Sequence, residues 1–241
     1  MLDLCKAFDC VSHDLLLNKL HYYGIHGIVL DMFRSYLTGR KQCASVNGKL
    51  SGFLDVNFGV PQGSILGTFL FIIMVNDIVY NIPPTVPVLY ADDTSFLTLH
   101  QDLEVLNVQC NCIIEAAETW FASNEFIVNT EKTQEFKFSL GTVDNTFSSV
   151  KLLGFNLDQK LFWNEHISSV CNRLSRVLYV LHRLVDCVSY DIIMNVYFGL
   201  FHCHLLNGVH LWNHSAYAAK IFILQKKLYV LLVINHVLNI A

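Results

Sequence analysis

The stretch VPVLYADDTSFLTL, residues 86–99, places two adjacent aspartates between two runs that favour β-strands. Two such runs around a short acidic turn predict a β-hairpin with Asp92 and Asp93 at its tip. Aspartate is common in turns because its side chain hydrogen-bonds the backbone, so a structural role explains the pair simply. Alternatively, carboxylates on rigid strands bind Mg²⁺, and two such ions serve phosphoryl transfer. Such a two-metal site needs a further carboxylate from another helix or strand.

Asp3 is the candidate for this further carboxylate, at the start of the segment DLCKAFD in residues 3–9. It precedes a predicted helix from Ala7 to about Tyr22, in which apolar residues recur every three or four positions. Asp9 and His13 compete with Asp3, since they are four residues apart on one helical face. Spacing alone does not choose between these sites.

The rest of the chain mixes short strands with helices, which predicts an α+β fold. Strands or strand pairs are predicted at residues 42–47, up to Val60, through Phe136 and Phe138, and in a hairpin over 151–163 that turns at 158–160. Helices are predicted over 28–37, from Ser64 to about Tyr80, and from a cap at Asp102. A polar loop is expected over 141–149. Three helices are predicted after residue 164, with a domain boundary near residue 163.

Composition and charge narrow the functional classes. Apolar residues make up 53% of the chain and charged residues 15%, which excludes general disorder. Residues 1–150 carry eight Lys and Arg against sixteen Asp and Glu, a net charge of −8, whereas residues 151–241 carry eight against four, a net charge of +4. This asymmetry is typical of a carboxylate-bearing part joined to a part that binds a polyanion, although solvated surface charges explain it equally well.

The sequence also contains signals that bear on the cellular compartment of the protein. It contains eight cysteines but no Cys-x-x-Cys pair, and no basic stretch followed by an apolar core at its start. We therefore expect no secretory signal and an intracellular protein, in the nucleus or the cytoplasm. Residues 192–219 carry no Asp, Glu, Lys or Arg but four His and three Asn, which are costly against lipid. We expect no membrane insertion.

Three motifs in order carry a family resemblance: DLCKAFDCVSH at residues 3–13, GVPQGSILG at 59–67 and YADD at 90–93. They resemble the central motifs of reverse transcriptases of LINE-type, non-LTR retrotransposons, above all the jockey-like elements. Further matches follow in the family's order, at Trp120-Phe121, Asn129, Lys132-Thr133, 152–154, 163–167, Leu211-Trp212 and 220–226. The resemblance covers nearly the whole chain, and several ordered motifs are far more specific than any one of them.

The resemblance implies a right-hand polymerase. Residues 1–163 would form the palm, an antiparallel sheet with helices packed on one face, ending in a hairpin like the primer grip. Residues 164–241 would form a mostly helical thumb. The family places its fingers before the motif of Asp3, so this chain is expected to be an N-terminally truncated form. Most of the strand that should hold Asp3 would also be absent, so Asp3 is expected to be loosely held. Little primer extension is expected from residues 1–241 alone.

The resemblance also implies site residues. Asp3 and Asp92, assisted by Asp93, would hold two Mg²⁺ ions, with Mn²⁺ as a possible replacement. These ions would support attack of a DNA primer 3′-hydroxyl on a dNTP that is paired with an RNA template. Four residues would contact the incoming nucleotide: Phe8 excludes a 2′-hydroxyl, Gln62 and Gly63 touch the nucleotide, and Lys132 meets the departing pyrophosphate. Core packing explains Phe8 as well, and a solvated loop position explains Lys132 as well.

Six basic residues of the second part would contact nucleic-acid phosphates: Arg173, Arg176, Arg183, Lys220, Lys226 and Lys227. An alternative function is a catalytically inactive remnant that at most binds nucleic acid. A small membrane protein is a more distant alternative.

Overall fold

The computed structural model describes residues 1–139 and 149–238, and the side chains only as far as residue 233 within the last helix. The chain divides into two compact units, Met1–Glu135 and Phe136–Ala241. Helices and small antiparallel sheets occur together, in agreement with the predicted α+β class. The predicted loop over 141–149 lies outside the described residues except for Ser149. The functional division near residue 163 stays a prediction.

The helices of the first unit follow the apolar periodicity of the sequence. They are α1 (His13–Tyr22), α2 (Ile28–Leu37), α3 (Ile65–Val75) and α4 (Leu103–Ser123), with short 3₁₀ turns at Ala7–Asp9 and Asn76–Tyr80. The predicted cap at Asp102 is confirmed, since its side chain accepts from the first turn of α4. Ser64, where the helix predicted over 64–80 begins, is also a cap, because its side chain accepts from the Gly67 N–H. The predicted start of α1 at Ala7 is wrong, because Lys6 adopts a left-handed conformation and the 3₁₀ turn that follows it is separate from the helix.

The strands of the first unit are short. They are β1 (Lys41–Gln42), β2 (Ser45–Val46), β3 (Lys49–Leu50), β4 (Leu54–Asp55), β5 (Val86–Tyr90) and β6 (Asp93–Leu97). β1 pairs with β4, β2 with β3, and β5 with β6, all antiparallel. The single strand predicted over 42–47 is therefore divided between two separate ladders. The predicted hairpin of β5 and β6 is confirmed.

The core of the first unit joins α1, α3 and α4. Leu16 and Leu20 of α1, Leu70 and Met74 of α3 and Phe121 of α4 have no measurable exposure and belong to one cluster. Since burying each such side chain stabilises the fold by about 1.5–3 kcal/mol, this cluster contributes strongly to the stability of the first unit. Leu2 and Leu4 belong to the same cluster, so the start of the chain is anchored in this core.

In the second unit, a hairpin of β7 (Ser149–Leu152) and β8 (Phe155–Asp158) precedes the helices. Its turn is Leu153-Gly154, where both residues have positive φ, as in a type I′ turn. The turn predicted at residues 158–160 is wrong. Asp158 instead accepts hydrogen bonds from the N–H groups of Lys160, Phe162 and Trp163, and so shapes the connection into the next helix.

The second unit continues as helices: α5 (Asn164–Leu184), α6 (Tyr190–Val196), α7 (Cys203–Leu206), α8 (Val209–Trp212) and α9 (Ala219–Leu238). A π-helical segment at Tyr197–His202 joins α6 to α7, and a 3₁₀ turn at Ala216–Ala218 precedes α9. The core includes Ile167 and Leu174 of α5 and Trp212, as well as Leu228 of α9. The strand predicted through Phe136 and Phe138 is wrong: these residues are not paired in a ladder, and their rings pack edge to face at 5.0 Å.

Within residues 1–139 and 149–238, no helix combines the length and the apolar character needed to cross a membrane.

Candidate active site

Asp3 lies on a short extended segment whose neighbours are anchored in the core. Leu2 and Leu4 are 3% and 4% exposed, whereas the Asp3 side chain is 24% exposed. Side chains alternate between the two faces of extended backbone, so burial of the two leucines directs Asp3 to the opposite face. The apolar neighbours thus determine where this carboxylate points.

Backbone pairing holds this segment on both sides. Leu2 pairs with Thr94 of β6, and Leu4 pairs with Val128. The Asn129 N–H also donates to the Asp3 carbonyl oxygen at 2.8 Å. Residues 2–4 therefore lie between the β5–β6 hairpin and residues 127–129. Together with the two strands of the hairpin, these two segments form one small antiparallel arrangement. Asp3 was expected to be loosely held; its backbone is paired on both sides, and the rigidity of its side chain stays a prediction.

The hairpin places the other two carboxylates beside Asp3. Ala91 and Asp92 form its two-residue turn, with φ of 53° at Ala91, and Asp93 is the first residue of β6. In an antiparallel pair, the residue after Leu2 faces the residue before Thr94, so Asp3 lies across from Asp93. The structure thus brings together the three predicted carboxylates, which are distant in the sequence.

The electrostatics reflect this proximity. Burial raises the pKa of Asp93, and the negative charges of Asp92 and Asp3 raise it further, while Lys132 opposes the shift. Lys132 Nζ donates to Asp3 Oδ2 at 3.0 Å, and this contact raises the pKa of the lysine. Like charges held together favour a bound cation, so the site is poised to take up positive charge.

The donor set suits a hard divalent cation, since carboxylate oxygens are the ligands that Mg²⁺ and Mn²⁺ prefer. The three side chains do not converge on one point, however. Among the described residues, no group of three His, Cys, Asp or Glu side chains lies closely enough together to hold a metal ion. The Asp3 carboxylate is directed to Lys132 instead. The residues therefore fit the cation in chemistry, and binding requires Asp3 to exchange its partner.

The competing pair of Asp9 and His13 has other contacts. Gln62 Nε2 donates to Asp9 Oδ1 at 3.0 Å, and His13 Nε2 donates to the Gly59 carbonyl oxygen at 2.8 Å. Both side chains therefore bind the 59–67 loop. Neither of these contacts involves Asp3, Asp92 or Asp93.

The loop of the second motif places Gln62 and Gly63 at the surface. Gly63 has φ of +79°, and a Cβ built there meets nothing within 4 Å, so space is open beside it. Gln62 is directed to Asp9, as described above. The sequence did not indicate that the Tyr36 hydroxyl hydrogen-bonds Ser64 Oγ at 2.9 Å. That contact ties the loop to α2, and no local pattern links two residues so far apart.

Phe8 is partly buried and stacks on Phe71 of α3, with ring centroids 4.4 Å apart and planes inclined by 23°. Gly59 explains how the loop approaches this point. It has φ of +84°, and a Cβ there would lie 2.9 Å from the Asp9 Cα and 3.0 Å from the Phe8 carbonyl oxygen. Only glycine allows such a close approach of two backbones. Core packing therefore accounts for much of the Phe8 environment.

The six predicted phosphate-binding residues are all exposed on α5 and α9. Arg173, Arg176 and Arg183 are spaced by three and seven positions, so they share one face of α5. That face lies opposite the buried Leu174 and Leu181. Arg183 lies over the exposed ring of Tyr179, at 5.5 Å from its centroid. An exposed surface with interleaved basic and aromatic groups suits contacts with nucleic acid.

Comparisons with known proteins identify the family of the chain. Residues 1–157 match the family model described as reverse transcriptase (RNA-dependent DNA polymerase). The chain is 26% identical over 249 residues to the RNA-directed DNA polymerase from mobile element jockey of Drosophila melanogaster, covering 94% of this chain and 27% of that protein. It is also 26% identical over 254 residues to the probable RNA-directed DNA polymerase from transposon BS of the same organism, covering 89% of this chain and 26% of that protein.

Among solved structures, a telomerase from Candida albicans in complex with a TWJ fragment of telomeric RNA aligns with a TM-score of 0.47 and 13% identity, over 97% of this chain and 43% of that chain. This chain spans about a quarter of the length of the two curated relatives named above. The resemblance to jockey-like retrotransposon polymerases is confirmed by the matched family and by these relatives. The chain belongs to the reverse transcriptase (RNA-dependent DNA polymerase) family.

Proposed function

We propose that this chain forms the catalytic core of an RNA-directed DNA polymerase of a jockey-like retrotransposon. Its partners are an RNA template, a DNA primer end and dNTPs. The observation that carries the proposal is the pairing of Leu2 with Thr94, which places Asp3 across from Asp93, the neighbour of Asp92. Three carboxylates from two distant segments thus lie near one another, and this proximity supports a shared cation site. An acidic turn at the surface would not require a third carboxylate from a distant segment beside it.

Asp3, Asp92 and Asp93 are the residues that would hold two divalent cations. When bound, Mg²⁺ lowers the pKa of the attacking primer hydroxyl and balances the charge that develops on the phosphate. The three residues contribute a negatively charged surface. Leu2 and Leu4, buried on either side of Asp3, and the β5–β6 hairpin hold it in place. Burial raises the pKa of Asp93, and the charges of Asp92 and Asp3 raise it further, so the three carboxylates are close enough to influence one another.

The nucleotide site lies around the carboxylates and the 59–67 loop. Phe8 provides a firm apolar surface for the sugar, since Phe71 holds its ring from one side. Gly63 leaves room for close approach of a substrate to the backbone. Gln62 contacts the nucleotide after leaving Asp9, and the Lys132 ammonium group neutralises the departing pyrophosphate. Exclusion of a 2′-hydroxyl by Phe8 rests on steric bulk.

Residues 1–163 act as the palm and residues 164–241 as the thumb in this proposal, and the β7–β8 hairpin supports the primer. The basic residues of α5 and α9 contact phosphates without reading sequence, because base pairing with the template supplies that information. The six side chains Arg173, Arg176, Arg183, Lys220, Lys226 and Lys227 are exposed, as this role needs.

A chimera tests the proposal. The matching segment of the jockey polymerase is replaced by residues 1–241, so that the relative supplies its other regions. We expect Mg²⁺-dependent extension of a DNA primer on an RNA template, reduced about a thousandfold or more by Asp92→Asn. Asp14→Asn serves as the matched control, since Asp14 is an exposed carboxylate on α1.

Two outcomes of this experiment would contradict the proposal. One is a folded chimera that remains inactive while the parent polymerase extends the primer. The other is extension that Asp92→Asn leaves unchanged. Hybrid binding without any extension would favour the alternative function, an inactive nucleic-acid-binding remnant.

A further inference from the structure

The loop that carries Lys132 is tied to the start of the chain at both ends. The Asn129 N–H donates to the Asp3 carbonyl oxygen at 2.8 Å, and the Gln134 N–H donates to the Met1 carbonyl oxygen at 2.9 Å. Inside the loop, the N–H groups of Lys132 and Thr133 both donate to the Asn129 carbonyl oxygen. The turn is therefore fixed next to Asp3, and the position of Lys132 does not depend on its side chain alone.

The lysine side chain returns from this loop to the site. Its Nζ lies 3.0 Å from Asp3 Oδ2, and the lysine side chain is 69% exposed. Among the ion pairs of the described residues, this is the one that involves Asp3, Asp92 or Asp93. The Lys132 ammonium group thus supplies positive charge beside the same three carboxylates that the proposed function assigns to divalent cations.

We propose that Lys132 is the counter-ion of Asp3 in the cation-free protein, and that a divalent cation binds by displacing it. The inference rests on the proposed function, because it concerns the same carboxylates. A carboxylate oxygen that faces an ammonium group at hydrogen-bond distance is not available to a second cation of the same charge sign. The exchange is easy, since exposed ion pairs are weak and a lysine stem is flexible.

The exchange has a consequence for substrate binding. A displaced Lys132 remains beside the site, because its loop stays bonded to Asp3 and Met1 through the backbone. Its ammonium group is then available to a phosphate. In this proposal, cation binding frees Lys132 to contact a triphosphate. A single residue thus pairs with Asp3 in the absence of cation and contacts the substrate once the cation is bound.

A Mn²⁺ titration of residues 1–241 tests the exchange, with free Mn²⁺ followed by electron paramagnetic resonance. We expect Lys132→Met to tighten Mn²⁺ binding about tenfold, since it removes the competing ion. Lys6→Met is the matched control, because Lys6 is exposed, lies three residues from Asp3 and makes no ion pair among the described residues. It removes the same charge nearby and should change the affinity less than about twofold. Lys132→Arg keeps the competing charge and should stay close to the wild type.

Thermal unfolding provides a second readout. Without Mn²⁺, Lys132→Met should unfold at a lower temperature than the wild type, because three carboxylates are then left without their counter-ion. Saturating Mn²⁺ should abolish this difference. If Lys132 only stabilises the fold, the difference in unfolding temperature will persist at saturating Mn²⁺, and the inference fails.

The two proposals fail differently. Mn²⁺ binding that Asp92→Asn weakens but Lys132→Met leaves unchanged or weakens would overturn this inference and leave the proposed function intact. Equal tightening by Lys6→Met and Lys132→Met would also overturn it, because general electrostatics would then suffice. Absence of any Mn²⁺ binding by the wild type would contradict the cation site itself, and with it both proposals.

Discussion

Leu2 and Thr94 exchange backbone hydrogen bonds: the Leu2 N–H donates to the Thr94 carbonyl oxygen at 2.8 Å, and the Thr94 N–H donates to the Leu2 carbonyl oxygen at 3.3 Å. This pairing joins the start of the chain to the β5–β6 hairpin. Because Leu2 is also anchored in the core, the pairing fixes the backbone of Asp3 relative to Asp93. The candidate site is therefore built on the core of the first unit.

Substitution of Gly59 should damage this unit through its backbone. An added Cβ would lie 2.9 Å from the Asp9 Cα, so Gly59→Ala must displace the loop or the 3₁₀ turn. We expect a loss of about 2–4 kcal/mol in the free energy of unfolding, from crowding added to the strain of positive φ. Gly63→Ala is the control, since its φ is also positive but the space beside it is open. Gly63→Ala should lose about 1 kcal/mol in the free energy of unfolding, measured by urea denaturation. Equal losses in the two variants would show that the close approach is unimportant.

Substitution of Phe8 tests both its packing role and its role in substrate selection. Phe8→Ala removes the ring that stacks on Phe71 and should cost about 2 kcal/mol in the free energy of unfolding, because the residue is partly buried. If Phe8 also excludes a 2′-hydroxyl, the jockey chimera with Phe8→Ala should gain ribonucleotide incorporation relative to deoxyribonucleotide. Phe8→Tyr keeps the bulk and should preserve the selectivity. Equal decreases in both incorporations would leave packing as the role of Phe8.

Asp93 should make the unfolding temperature depend on pH in the cation-free chain. Its pKa is raised above the usual 3.8, so the folded state binds the proton more strongly than the unfolded state. The stability it contributes is present below pH 3.8 and is lost as pH rises through the raised pKa. At pH 7, Asp93→Asn should therefore raise the unfolding temperature, by about 1–2 °C for an exposed site.

The control for this prediction is Asp55→Asn, on β4, whose charge is paired with Lys41. We expect it to leave the unfolding temperature unchanged or slightly lower. An Asp93→Asn variant that is less stable at pH 7 than the wild type would show that burial beside Asp92 and Asp3 does not raise the pKa of Asp93.

His166 should give the second unit an acid-sensitive core. Its Nε2 is buried without a hydrogen-bond partner among the described residues, and the rings of Phe155, Trp163 and Trp212 surround it. Burial, and then the charge of Arg173, lowers the pKa of His166 below the usual 6.5. The unfolded state therefore binds more protons, and stability falls as pH drops below about 6.5 towards the lowered pKa.

The variant His166→Phe should remove this dependence between pH 8 and pH 5, as followed by tryptophan fluorescence during thermal unfolding. His182→Phe, at an exposed position of α5, should retain it. A wild-type unfolding temperature that is constant over this pH range would contradict the lowered pKa.

The sequence predicted features whose signal is local. The acidic hairpin was recognised because strand-forming residues flank Asp92, and both helix caps were recognised from a polar residue before an apolar run. The pairing of Leu2 with Thr94 left no such signal, since backbone hydrogen bonds between distant segments do not depend on side-chain identity. The Lys132 ion pair with Asp3 was missed for a related reason: only the folded loop brings them together.

The β7–β8 hairpin shows a different limit. Asp158-Gln159-Lys160 has the composition of a turn, but the chain turns earlier, at Leu153-Gly154. Asp158 uses its carboxylate to bind the N–H groups before α5 instead. The same residue type serves turns and helix entrances, so composition alone placed the turn several residues too late.

In the proposed site, Asp3 supplies the third carboxylate and Asp9 does not. Mn²⁺ titration of four forms of residues 1–241 tests this assignment most directly: the wild type, Asp3→Asn, Asp92→Asn and Asp9→Asn. Asp9 is the matched control, because it lies on the same segment and is bound to Gln62. We predict that Asp3→Asn and Asp92→Asn each weaken Mn²⁺ binding by about tenfold or more, while Asp9→Asn changes it less than about twofold. Loss of Mn²⁺ binding in Asp9→Asn, or unchanged binding in Asp3→Asn, would contradict the account.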